Sequence, residues 1–308
     1  MKDRYNQILE ELGDNLPTIS LIITELIKRI NDPDNNLDVI EEIILADPAI
    51  STEIIGVANT GNFRDAHEET IISIQDALQK LGLENVKKIA LNASVLSLLK
   101  EIKSPKLFSL EAMWSHCVNV AIASESIARF IGFTHLDIAY TCGLVHDIGK
   151  IVKLKFNQTK FIKEVFSAKR KLIDLNTNEK ARNLIRHDFL GGKMAKRWEL
   201  PSPIIDAVTW HHEEINDERE DVENDYNHQL IDIVLLANKI VNKNAFGYSG
   251  HSIYNKPSKD FLKKLSLNET YLSDAEELII RSISNHRGIL PCEESLKNKF
   301  KQKSDTKR

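Results

Sequence analysis

Along the first hundred residues, apolar side chains recur every three or four positions in short runs that polar and turn-forming residues interrupt. Ile19, Ile22, Ile23, Leu26, Ile27 and Ile30 fall at helical spacing, and Asp32-Pro33 stops that run because proline disfavours α geometry in the residue before it. Asn36 offers a cap to a helix carrying Ile40, Ile43 and Ile44, while Asp47-Pro48 reads as an N-cap followed by proline at the first helical position. Beyond the turn-rich Asn59-Thr60-Gly61-Asn62, Ser73-Ile74-Gln75-Asp76 sets a hydroxyl three residues before a carboxylate, a variant of the capping box, and Gly82 ends that helix. Val86, Ile89, Ala90, Ala93 and Leu96 carry a longer helix towards the Ser104-Pro105 break. Strand-like alternation is nearly absent.

The second half continues in the same style. Helices are predicted near 111–130 and from about 136 to His146-Asp147-Ile148-Gly149-Lys150, where Gly149 suits a helix end. Two more, over 179–198 and 202–212, are separated by Leu200-Pro201-Ser202-Pro203, a proline pair that breaks any helix. Residues 216–227 are almost wholly polar and acidic and predict an exposed, mobile loop. A helix over 229–242 returns to the core, and two further helices precede a disordered tail. The pattern as a whole predicts an all-α fold, a multi-helix bundle without solenoid repeats. Its divisions are an N-terminal helical subdomain over 1–103, a second helical subdomain over 104–250, and C-terminal helices with a basic tail over 251–308.

Composition narrows the class. A chain of 308 residues with 42% hydrophobic content can fill a substantial core without staples. Cys117, Cys142 and Cys292 cannot all pair, and they read as reduced thiols of a cytosolic protein. Met1-Lys2-Asp3-Arg4 runs straight into charged residues without the apolar core of a signal peptide, and no apolar run approaches the roughly 20 residues a bilayer span needs. A soluble, cytoplasmic protein with no membrane partner is expected. The formal charge of -4 comes from interleaved acids and bases, which give no broad positive field and no basic stripe with interleaved aromatics for nucleic acid. Only the stretch from Lys297 to Arg308 is distinctly basic, and it reads as a solvated tail.

Candidate chemistry lies in the histidines. His116, His146-Asp147, His187, His211-His212 and the amide Asn238 each fall in a predicted helix or at its end. Neutral imidazole and carboxylate oxygen suit divalent iron, manganese, zinc or nickel, and ligands from separate helices can converge inside a bundle. On a regular helix His146 and Asp147 would diverge by about 100°, so a helix-end position is needed for both to reach one ion. Taken singly, each of these histidines has the plainer reading of a hydrogen-bonded core or surface residue; their number and order favour a site. His67, His135, His228, His251 and His286 lie in polar stretches and read as solvated.

The order of these residues resembles the HD phosphohydrolase superfamily, which is built on a histidine, a His-Asp pair and a final aspartate. His116, His146 and Asp147 match the first three, and His187 with His211-His212 fall where the two-metal cyclic-dinucleotide phosphodiesterases of that superfamily add ligands. Two departures stand out. Asn238 in Leu235-Leu236-Ala237-Asn238-Lys239 replaces the final aspartate, and an amide is a weaker ligand for a hard cation than a carboxylate. Asp232, six residues earlier on one helix, points roughly 120° away. Moreover, no Gly-Tyr-Pro follows His211-His212-Glu213, which sets the chain apart from the HD-GYP phosphodiesterases.

Leu16-Pro17, Asp32-Pro33, Asp47-Pro48-Ala49-Ile50, Ala58-Asn59 and Ala77-Leu78 with Leu81-Gly82 resemble the HDOD signature in its usual order, as do His146-Asp147-Ile148-Gly149-Lys150 and Trp198-Glu199-Leu200-Pro201 in the second half. The resemblance spans about Leu16 to Gly250. It implies an HD-type helical bundle in a bacterial regulatory or signal-transduction module whose partner is another signalling protein, with a nucleotide as a candidate ligand. The expected site is degenerate and non-catalytic, mononuclear or without metal, since one carboxylate compensates poorly for two dications. The alternative is a metal-dependent phosphohydrolase acting on a nucleotide or cyclic dinucleotide, in which Lys150 would contact the phosphate. Lys150 also has a plainer reading as a charge opposing the helix dipole.

Overall fold

A computed structural model of the chain describes residues 2–17, 37–60, 69–250 and 253–286, with isolated positions 25, 29 and 63. The expectations for the helix over 19–36, for His67 and His251, for the side chain of His286, for Cys292 and for the tail lie outside the described residues. Among those described there is no strand, so the all-α class holds. No helix among them is long and apolar enough to cross a membrane. The chain divides into two compact units, one of residues 1–18 with 102–283 and the other of residues 19–101 with 284–308.

The smaller unit is built as the punctuation of the sequence dictates. Helix α2 (Leu37–Leu45) is followed by α3 (Pro48–Ala58), whose first turn is capped by Asp47 Oδ1 accepting from the Ile50 amide at 3.2 Å. Ser73 caps α4 (Ile74–Leu81), its hydroxyl accepting from the Asp76 amide at 3.0 Å and donating to the Asp76 carboxylate at 2.5 Å. Then α5 (Leu83–Lys100) begins directly after Gly82. Ile40, Ile44, Ile54, Ile74 and Ile89 fill the core between them. Asn59, at the end of α3, donates to the carbonyls of Ile55 and Ile71 at 2.9 and 2.7 Å and accepts from the Ile71 amide at 3.0 Å. One side-chain amide thereby satisfies both backbone groups of a connecting segment that has no strand partner.

The larger unit holds the remaining helices. Tyr5, Ile8, Leu9 and Leu12 form the apolar face of α1 (Lys2–Leu12) and pack against Leu190 and Met194. Farther along, the Trp198 indole donates to the Pro17 carbonyl at 3.1 Å. The central helix is α6 (Leu110–Phe130), buried along most of its length, with α7 (Leu136–Val145) and α12 (Asp225–Lys243) packed against it. After α8 (Ile148–Lys171) come α9 (Leu175–Ala181), α10 (His187–Arg197) and α11 (Ser202–Trp210); α10 packs on both α8 and α11. Two further helices, the short α13 (Lys259–Lys264) and the longer α14 (Glu269–His286), follow α12 as expected. Cys117 and Cys142 are free and buried.

Three local expectations are corrected. The single helix over 179–198 is two, α9 and α10, because Asn183 turns left-handed at φ 50° and the Leu184 amide closes back on the Glu179 carbonyl at 2.9 Å, a stop that asparagine tolerates well. Gly149 does not end a helix; it sits in the first turn of α8, where a Cβ would lie 1.8 Å from the His187 carbonyl oxygen and 2.7 Å from the Gly191 nitrogen. Only glycine lets α8 and the start of α10 approach so closely. Finally, residues 216–227 are not a loose loop. They contain a 3-10 turn (Asn216–Glu218), and the buried Arg219 ties the segment to the carbonyls of Glu213 and His228 and to the Asp232 carboxylate. Helix α12 starts at Asp225, capped by Asn224.

Candidate metal centre

All six of the histidine and aspartate candidates come together. His116 projects from α6, His146 and Asp147 occupy the joint between α7 and α8, His187 opens α10, and His211 and His212 follow α11. The joint answers the divergence problem: His146 still has helical backbone angles, but Asp147 turns to φ -96°, ψ 14°, so both side chains face inward. Asp147, His146, His116, His187 and His211 are almost wholly buried.

Asp147 is the hub. Its Oδ2 lies 3.4 Å from His146 Nε2 and 3.7 Å from His116 Nε2. Its Oδ1 lies 3.5 Å from His187 Nε2 and 3.7 Å from His211 Nε2. His212 Nε2 approaches His187 Nε2 at 3.0 Å. Two ligand groups therefore share one carboxylate, His116–His146–Asp147 and Asp147–His187–His211–His212, with all donor atoms of each group within 4.8 Å of one another.

The hydrogen bonds around the rings set their chemistry. His146 Nδ1 meets the Gly143 carbonyl at 2.6 Å and His211 Nδ1 meets the Val208 carbonyl at 2.8 Å. A carbonyl only accepts, so Nδ1 carries a proton in both rings, and each ring turns its Nε2 to the interior. His187 Nδ1 lies 2.7 Å from Glu179 Oε2, and the same oxygen accepts the His187 backbone amide at 3.0 Å. Burial pushes the imidazoles of His116, His187 and His211 below their ordinary range, more than Asp147 can offset. The shift favours the neutral form that a metal ligand needs. Burial works against the charge of Asp147 too, but His146 and Lys150 outweigh it and hold its carboxyl well below the usual carboxylate range.

These residues fit a divalent transition metal. The Nε2 atoms of His116, His146 and His211 and the Oδ1 of Asp147 are buried without a hydrogen-bond partner. Buried polar atoms are nearly always satisfied, so several unsatisfied donor atoms aimed into one space mark a place for a cation.

Two candidates stand apart from these two groups. Lys150 is fully buried, and its ammonium donates to Asp147 Oδ2 at 2.6 Å and to the Ser249 hydroxyl at 3.1 Å. Asn238 lies on the wall of a cavity of about 190 Å³ beside His211 and His212, and its Oδ1 accepts from Asn242 at 2.8 Å. Asp232 offers no replacement for the missing acid, being ion-paired with Arg219 and, at 3.4 Å, with Lys264. Of the background histidines, His135 is exposed and His228 is half-buried against Arg219.

Behind the ligands stands a set of buried charges that residue type and order do not reveal. Lys153 is ion-paired with Glu179 and, at 2.6 Å, with Glu164. Burial opposes the charge of Lys153, but the two carboxylates carry its affinity for the proton above the ordinary lysine value. Burial raises the Glu179 carboxyl despite Lys153 and the His187 amide. Asp188 accepts from Asn176 at 2.8 Å and from Arg186 at 2.5 Å, fixing the start of α10 next to His187.

Comparison with known proteins agrees with this architecture. A curated relative, an uncharacterized protein of Treponema pallidum (strain Nichols), is 22% identical over 200 residues, which are 65% of this chain and 38% of that one. The chain thus spans well under half the length of that relative. A crystal structure of an HDOD domain protein of unknown function from Geobacter sulfurreducens superposes with a TM-score of 0.70 at 23% identity, covering 92% of this chain and 95% of that one. A structure from Marinobacter aquaeolei VT8, provisionally named a signal transduction protein, gives a TM-score of 0.70 at 18% identity, over 89% of this chain and 60% of the other. The HDOD domain profile matches residues 16–214, and with that match, the helical bundle and the His-Asp constellation in hand, the chain belongs to the HDOD domain family.

Proposed function

We propose that this chain is a regulatory module of signal transduction that holds one divalent transition metal ion in an HD-type site and does not turn a substrate over. The observation that carries the reading is Lys150. Its ammonium already neutralises Asp147 Oδ2, the oxygen that faces His116 and His146. A dication in that half would meet a fixed positive charge with no second carboxylate to offset it, and Coulomb repulsion in a buried site is severe. The other half offers more ligands, although the Lys150 charge reaches His187 as well: Asp147 Oδ1, His187, His211 and His212 supply one carboxylate and three imidazoles, a ligand set suited to iron, manganese, zinc or nickel. Bound there, the ion would draw together α10, the end of α11 and the α7–α8 joint, so that its arrival or loss alters helix packing a partner can read. The partner is expected to be another signalling protein.

The second reading is a metal-dependent phosphohydrolase. It is favoured by the two ligand groups sharing Asp147 and by the cavity that opens onto His211 and His212. In that case Lys150 would hold a phosphate oxygen, and a bound metal would supply an activated water. The readings separate in a turnover assay of the full chain, purified anaerobically and supplied with Fe²⁺ or Mn²⁺, against nucleotides and cyclic dinucleotides. The regulatory reading expects no product above that of a His187→Ala, His211→Ala control. Many turnovers per chain that vanish in the control would replace it with the hydrolase.

A further inference from the structure

Two surface features that take no part in the candidate metal site complement one another. The first is a groove of about 720 Å³ in the larger unit. Leu107, Ile162 and Phe166 give it an apolar floor, with Leu107 67% and Phe166 44% exposed. Its rim carries Lys106, Lys163, Arg170 and Arg182 and no acid. In a chain with a formal charge of -4, this is a local concentration of the minority sign.

The second is the acidic segment over 213–223. Asp217, Glu218, Glu220, Asp221 and Glu223 are all exposed, and Ile215 stands 57% exposed beside them. The buried guanidinium of Arg219 holds the segment in shape through two bonds to the Glu213 carbonyl, at 3.1 and 2.6 Å, one to the His228 carbonyl at 3.2 Å, and an ion pair with Asp232. Water would solvate such a sequence just as well if it were loose. Rigidity is useful when the segment must present a fixed shape, because ordering it beforehand removes an entropic cost of binding.

We infer that the 213–223 segment of one copy docks into the Leu107–Ile162–Phe166 groove of a second copy, Ile215 covering the apolar floor and the carboxylates facing the basic rim. Three features favour this occupant. Charge and apolar character match on both sides. The C-terminal tail is basic and would be repelled by the rim. Phe166 is the one aromatic lining the groove, which offers no row of rings for stacking a single-stranded nucleic acid. Groove and segment are different surfaces, so the contact is head-to-tail, closing into a ring or continuing as a chain. The inference stands apart from the metal site and does not require it.

Sedimentation velocity of the full chain over a concentration series, at low and at high salt, tests it. Self-association is expected at low salt and should weaken at high salt, as screened rim charges require. The groove variant Lys163→Glu, Arg170→Glu and the segment variant Ile215→Asp should each lose affinity by more than about tenfold. All three positions are surface-exposed, and unchanged circular dichroism checks the fold; Leu107→Asp is a second groove variant. A mixture of the two variants should form one-to-one pairs, since each supplies the surface the other lacks. A wild-type chain that stays monomeric throughout, association that survives both variants, or a mixture that fails to pair would overturn the inference, the first of these returning the groove to a foreign acidic partner.

Discussion

Glu179 lies outside the candidate ligand set but holds one of its members. Its Oε2 receives both the ring and the backbone N–H of His187, so it fixes the tautomer and the angle of that imidazole. Glu179→Gln keeps the shape but replaces a charged acceptor with a neutral one, and the loss of metal affinity is expected to be about 10- to 100-fold. Competition against a chelator measures this, and a metal-free melting curve separates it from any general loss of stability. At Gly149 the constraint is steric. Gly149→Ala would drive a methyl into the His187 carbonyl and should cost about 2 kcal/mol or more, read by urea unfolding, with metal affinity falling as His187 shifts. The six ligand candidates were legible because imidazole and carboxylate are rare inside a bundle and their order is distinctive. Glu179 and Lys153 were not, being 26 positions apart and indistinguishable in type from surface charges.

Among the elements, those bounded by strong local chemistry could be read directly. Asp47-Pro48, Ser73 with Asp76, and Pro201 with Pro203 at the start of α11 each start or stop a helix through the side chain's own hydrogen bonding or its lack of an N–H. Where tertiary contacts decide, the sequence misleads. Residues 216–227 have the composition of a mobile loop, yet Arg219 turns inward and is buried with Asp232. Arg219→Ala would leave the Asp232 carboxylate buried with only the more distant Lys264, 3.4 Å away, and breaking such a pair costs about 3–5 kcal/mol. Hydrogen exchange should show the cost locally, as faster exchange over 213–224 with α6 and α7 little changed. Loss of protection spread evenly over the whole chain would mean that the segment is not a distinct element.

Across the whole molecule, the helical class and the convergence of ligands follow from a pattern that any bundle of this kind must have, whereas the division into units depends on contacts such as α1 against Leu190 and Met194 that no local signal announces. The buried imidazoles also tie global stability to pH. His116, His187 and His211 bind protons less readily when folded than at their ordinary value near 6.5. The unfolded chain therefore takes up protons first as pH falls below that value. Stability contributed by their neutral state is present above pH 6.5 and is lost on acidification towards the lower folded values. Urea unfolding of the metal-free chain at pH 7.5 and 5.5 should show the weaker fold at the lower pH; equal stability would mean these rings are not held neutral.

On the proposed function, Lys150 keeps one half of the site for an internal cation and leaves the other for a single metal. Elemental mass spectrometry of the anaerobically purified full chain, after loading with excess Fe²⁺ or Mn²⁺ and removal of free ion, measures this directly. One ion per chain is expected. Two ions per chain, or none, would contradict it.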